Sequence, residues 1–255
     1  MRAALHLEAL KLSRATTARA ASLIVVLLVP AMSAAFLAVV RADTGSVLAS
    51  KVGALLVDTG WGGITGFAAQ ITSVGALLAV GVVICWVFGR EFTDKTFGAL
   101  FATPTPRGSI AAAKLIVVVV WGFALSAVAA ALTLVAGMLI GLGAPDAAAW
   151  AGAWRVLVVG VLTVLLTLPF ALVASAARGY LAGVSALLGL VVVTQIVVAL
   201  GAGAWFPYAS PGLWSGLGGP QLADEVTVPQ LLLALPVGVA AAAATWWWWR
   251  NAKVQ

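Results

Sequence analysis

Side chains able to do acid–base, nucleophilic or metal chemistry are scarce in this chain: of 255 residues, eight are acidic, one is a histidine and one a cysteine. A hydrolase acting inside a membrane needs a nucleophile with its base, a pair of embedded acids, or a metal site. His6 lies too near the amino terminus for a mid-membrane dyad, and a single histidine cannot form a His-Glu-x-x-His zinc site. Cys85 alone forms neither an intrachain disulfide nor a cysteine zinc site. ATP hydrolysis through a P-loop requires a glycine directly before the lysine, and none of Lys11, Lys51, Lys95, Lys114 or Lys253 follows one.

The elements that must carry these few groups follow from composition. A content of 63% hydrophobic and 9% charged residues excludes a water-soluble fold, in which the figures are about 45–50% and about 25%. A Lys, Arg or Asp at mid-membrane costs about 2.5–3.5 kcal/mol, so the charges are expected to mark where the chain leaves the bilayer. Charge-free stretches long enough to cross a core of about 30 Å cover residues 20–40, 65–89, 115–141, 156–177, 181–204 and 228–249. The reading is an all-α membrane protein of six transmembrane helices in one domain over residues 1–255. The first stretch is taken as a retained helix and not a cleaved signal, because its basic flank is long and it reaches full membrane length.

Cytoplasmic loops carry the excess of Lys and Arg. With both termini cytoplasmic, all but Arg41, Lys51 and Arg155 of the 14 basic residues fall on inner segments. The net charge of +6 is thus assigned to topology and to anionic headgroups, with no nucleic acid as partner. The six stretches hold no Asp, Glu or His, which argues against an ion-coupled carrier.

Between the spans, several segments predict structure. Residues 1–19 read as an interfacial helix, with Leu5, Ala9 and Leu12 on one face and Glu8, Lys11 and Arg14 on another. Residues 46–57 have the spacing of a short surface helix. Residues 205–229 are rich in Gly and Pro and carry Trp205, Phe206, Tyr208 and Trp214, which suit the headgroup layer; a dip back into the membrane stays open. Trp246 to Trp249, before Arg250, mark the boundary of the last span. Pro169 and Pro236 are expected to kink their helices.

The longest inner loop runs from Arg90 to Arg107. At 100° per residue, Phe92, Thr96, Phe97, Ala99, Leu100 and Phe101 cover one face and Glu91, Asp94, Lys95 and Gly98 the other, which predicts an amphipathic helix over 90–103. Glu91 and Lys95 have the i,i+4 spacing of a favourable pair, worth about 0.2–0.5 kcal/mol. Pro104 and Pro106 stop the helix. Among polar residues inside the spans, Gln195 lies nearest mid-membrane and must face protein or a cavity. Thr163 and Thr167 share a face one turn apart; the three are candidates for a substrate path. For the threonines interhelical hydrogen bonding is the simpler reading, and for Gln195 both stand.

Glu91, Thr96, the run Leu100-Phe-Ala-Thr-Pro104, Arg107 and Lys114 resemble the signature between the second and third spans of type-2 ATP-binding-cassette exporter permeases. The similarity is strongest to the six-span bacterial subgroup that includes bacitracin-type resistance permeases. The chain departs from many relatives in having Phe97-Gly98 where they carry a Leu-Glu pair. The resemblance implies that the 90–103 helix, with Glu91, Phe92, Asp94, Lys95, Thr96, Phe97, Leu100, Phe101, Pro104 and Arg107, couples to a separate cytoplasmic ATPase. The N-terminal helix and the turn at Arg178 and Tyr180 would complete that interface. It further implies two ATPase copies that hold ATP and Mg, no cofactor or metal on this chain itself, a second permease copy or paralogue, and export of a hydrophobic or amphipathic drug, peptide antibiotic or lipid from a bacterial plasma membrane. A non-transporting membrane scaffold or sensor with the same fold is the alternative.

Overall fold

The computed structural model of the chain describes residues 1–42, 47–53, 58–96, 98 and 105–252. Among these residues the regular structure is helical, without strands, and six helices are long and apolar enough to cross a membrane. The six spans are Thr16–Arg41, Trp61–Thr93, Arg107–Leu139, Ala147–Ala176, Tyr180–Ala199 and Val228–Asn251. Each overlaps one of the expected apolar stretches, and several reach further into their N-terminal flanks, but the third, fourth and fifth end at Leu139, Ala176 and Ala199, short of the expected ends at 141, 177 and 204.

The extensions have local causes. Asp58 Oδ1 accepts from the amides of Gly60 and Gly63 at 2.6 and 3.1 Å, so the second span begins ahead of residue 65. Asp146 accepts from the Ala149 amide at 2.8 Å and caps the fourth span, satisfying an otherwise orphaned donor. Pro106 precedes the third span as its N-cap, a place where a missing N–H costs nothing. The longer helices take in Glu91, Lys114 and Arg155. The expectation that charges mark only the boundaries is thereby corrected, as is the absence of an acid from the spans: Glu91 lies within the second.

Prolines shape two other spans. In the first, a π-helical segment Ile24–Leu28 precedes Pro30; lacking an N–H, Pro30 cannot bond the preceding turn, and the helix widens there. The sixth breaks at Leu233, between helices Val228–Leu232 and Ala234–Asn251, just ahead of Pro236. Pro169, by contrast, sits inside one uninterrupted helix.

The second and fourth spans form the centre, each with 61% of its most apolar stretch buried, whereas the fifth has 11% and lies at the periphery. Close approach of the central pair depends on small residues: a Cβ on Gly152 would stand 2.0 Å from Thr65 Oγ1. Two short helices, Ser210–Trp214 and Pro220–Asp224, lie between the fifth and sixth spans. Ala209 and Leu213 from this segment are buried with Leu162 and Leu166. The surface helix is present as Val47–Gly53; residues 46 and 54–57 of that expectation lie outside the described residues.

The N-terminal helix is Arg2–Arg14, and its buried stripe is Ala4, Glu8 and Leu12. This corrects the expected faces, since Glu8 turns inward and Ala9 is exposed. The reason lies in the third span.

Candidate functional site

Lys114 sits two turns into the third span, in the run Ile110-Ala-Ala-Ala113 and Leu115, and is 1% exposed. A buried ammonium is tolerated only if its charge is paired and its donors are used. Its Nζ donates to Glu8 Oε2 at 3.0 Å, to Glu91 Oε1 at 2.8 Å and to the Val87 carbonyl at 3.2 Å. Three donors therefore meet three acceptors. Lys11 Nζ closes the circuit, donating to Glu8 Oε1 at 2.7 Å and to Glu91 Oε1 at 3.5 Å. Two acids and two bases join the N-terminal helix, the second span and the third span into one joint.

Burial acts to raise the Glu8 carboxyl, but the Lys114 and Lys11 cations outweigh it and hold the group below its ordinary value. Glu91 is 4% exposed, and its Oε2 is buried without a hydrogen-bond partner among the described residues. A half-satisfied buried carboxylate is a point of high electrostatic stake.

Trp249 covers the joint from the sixth span. Its ring centroid is 5.9 Å from Lys114 Nζ, within cation–π reach. Its Nε1 donates to Ser175 Oγ of the fourth span at 2.9 Å, and it meets Phe88 and Phe92 edge-on at 6.0 and 5.9 Å. The tryptophan run is therefore not a uniform boundary belt: Trp247 is exposed, while Trp249 is fully buried. Four successive residues on a helix point in four directions, so one of them must face the bundle.

The Glu91–Lys95 pair is corrected, and with it the expectation that the helix over 90–103 begins at residue 90. The second span continues as one helix through Thr93, and Lys95 takes a left-handed φ of 56°. The chain turns between the two residues, and Glu91 is committed to Lys114. Phe92 likewise packs inward on Trp248 and Trp249. Asp94, Lys95 and Thr96 are exposed where the chain leaves the helix. Phe97, Leu100, Phe101 and Pro104 lie outside the described residues.

The other residues singled out from the sequence gather at the same end. Arg107 Nη1 donates to the Ala252 carbonyl, tying the start of the third span to the end of the sixth. The turn at Arg178 and Tyr180 presses on the second span at Gly89, where a Cβ would stand 2.2 Å from the Tyr180 backbone nitrogen. Arg178 is exposed with φ 55°. Glu8, Lys11, Ser175 and Trp249 were not among the site residues expected from sequence. The one signal for a partner was Lys114, placed inside an apolar run without an acid at helical spacing.

Gln195 and Thr163 line one cavity of about 200 Å3 with Ser73, Thr194 and Tyr208. Burial pushes the Tyr208 phenol up to about 12, so it stays protonated. Thr167 is not in that lining; it is buried and donates to the Val164 carbonyl of its own helix at 2.7 Å, which also corrects the interhelical reading for this residue.

A family model described as an ABC-2 family transporter protein matches residues 4–196, well over half of the chain. The match takes in Glu8, Glu91 and Lys114 and ends beside Gln195. No curated protein matches the chain.

Proposed function

Since this chain belongs to the ABC-2 transporter family, and is thereby a permease component of an ABC transporter, we propose that it converts ATP hydrolysis on cytoplasmic ATPase subunits into export of an amphipathic compound. The observation that carries this reading is the buried Glu8–Lys11–Glu91–Lys114 joint. It lies at the root of the exposed Asp94–Thr96 exit, where the resemblance puts the ATPase contact. Force applied to that exit reaches Glu91 within one helical turn, and through Lys114 it moves the N-terminal helix and two spans together. The exposed residues Asp94, Lys95, Thr96 and Arg178 make the docking contacts; Glu91 transmits.

Two ATPases bind ATP with Mg, and the joint faces the cytoplasm of a bacterial plasma membrane. The cargo path runs past Gln195 and Thr163. Their cavity is smaller than the roughly 300–1,000 Å3 of ligand sites, and Gln195 is exposed on a span whose Leu188, Val192 and Ile196 are exposed too. A carboxamide on an apolar face within the membrane calls for a protein neighbour, which a second permease supplies while enlarging the chamber.

The test is a pull-down and transport assay with the cognate ATPase in inside-out vesicles and a fluorescent amphipathic probe. Asp94→Ala with Lys95→Glu should weaken ATPase binding at least tenfold and abolish ATP-driven uptake. ATPase binding that is indifferent to this pair would remove the coupling role from the exit.

A further inference from the structure

The N-terminal helix and the first span meet at Ala15, whose extended backbone (φ −71°, ψ 128°) turns the chain. In that crook an open groove of about 700 Å3 lies against the third span, inside the roughly 300–1,000 Å3 of small-molecule sites. Its apolar lining includes Leu12, Val117, Val120 and Ala124, with Trp121 held in place by a 3.1 Å bond from Nε1 to Ser22 Oγ. From Ile116 to Ala124 this wall extends about 12 Å at 1.5 Å per residue.

The polar lining comes from the crook: His6, Ser13 and Arg19. Arg19 Nε donates to the Ser13 carbonyl at 2.9 Å, which anchors the guanidinium there. Among the described residues no carboxylate pairs with Arg19, and Glu8, the one acid of the N-terminal helix, is occupied by Lys11 and Lys114. The groove therefore joins an uncompensated cation to an apolar trough.

We propose that this groove holds an anionic phospholipid from the bilayer, with its phosphate on Arg19 and one acyl chain along Ile116 to Ala124. Basic pockets between membrane helices select anionic headgroups, and a long cationic side chain reaches the headgroup layer while its stem stays on apolar surface. The lipid braces the N-terminal helix along Leu5, Ala9 and Leu12. The inference rests on the groove alone and not on the coupling role proposed above.

Native mass spectrometry of the full chain with its ATPase, released from detergent containing phosphatidylglycerol or phosphatidylcholine, tests it. Phosphatidylglycerol should be retained at least tenfold more than phosphatidylcholine. Arg19→Gln keeps a donor for the Ser13 carbonyl and should erase that preference. Val120→Trp, at a position 61% exposed, should lower retention of both lipids, whereas Leu139→Trp, at a position 82% exposed, should change neither. Equal retention of the two lipids by the unaltered protein, a preference that survives Arg19→Gln, or retention that Val120→Trp leaves unchanged would overturn the assignment.

Discussion

At the end that carries the N-terminal helix, polar side chains bond across elements: Lys114 to Glu8 and Glu91, Trp249 to Ser175, Trp121 to Ser22. Through the rest of the bundle, Thr65, Ser126, Thr133 and Thr167 instead donate to carbonyls three or four residues earlier in their own helices. Bonds of the second kind satisfy a hydroxyl without fastening one helix to another. Helix contacts there rest on apolar packing, as among Leu125, Ala129, Val156 and Val159. On the function proposed above, the ionic end moves as a body and the rest lets spans shift against each other, which gives the transporter a stiff input and a yielding pathway.

The largest way to break this comparison is Lys114→Met. It leaves two buried carboxylates with only the part-exposed Lys11 to share, and removing one partner of a buried pair costs about 3–5 kcal/mol. Thr133→Val, at the yielding end, loses only a bond within its own helix and should cost less than the roughly 0.6 kcal/mol of an average interhelical bond. Unfolding in detergent followed by tryptophan fluorescence measures both, and equal costs would erase the distinction. Adding Glu8→Gln and Glu91→Gln to Lys114→Met should restore much of the stability while ATP-driven uptake stays lost.

Next in size is Gly89→Ala. The new methyl would meet Tyr180 backbone atoms at 2.2 and 2.4 Å, which cannot yield as a side chain can. Overpacking of this kind costs about 1–3 kcal/mol, and here it should also part the Arg178 turn from the second span. Gly66→Ala, on the same helix with open space at its Cβ, is the control; the melting temperatures of the two variants decide.

The smallest effect sharpens the comparison through pH. Because the folded Glu8 carboxyl titrates below its ordinary value of 4.5, its contribution is complete above that value. It is lost as pH falls through the lower, folded one. A nitroxide at Leu7→Cys, on the exposed side of the N-terminal helix, should therefore keep a constant line shape between about pH 5 and 8 and gain mobility only in more acid solution. Cys85, the only native cysteine, is buried and leaves the label selective. Mobility that rises already near neutrality would show that Glu8 does not hold the helix.

Much of this was legible in the amino-acid sequence. The spans declare themselves because apolar length is a local property. The helix starts were less legible, since Asp58 and Asp146 bond amides ahead of the apolar stretches, where hydropathy gives no mark. The exit after the second span was marked by its charges and prolines. The faces of the helices were not legible. A span apolar all round has no amphipathic stripe to say which side is buried, so the sequence could not separate Trp249 from Trp247.

What the sequence by itself determined is the number of crossings, the shortage of catalytic groups, and the clustering of charge around the second and third spans; each depends on composition or on neighbours within a turn or two. Only the tertiary structure decided that Glu8 and Lys114, 106 positions apart, share a bond, and that Glu91 turns inward and not toward Lys95. A buried charge takes its partner from whichever helix packing brings within hydrogen-bond reach. That choice belongs to the assembled bundle, where desolvation makes an unpaired ion too costly to keep.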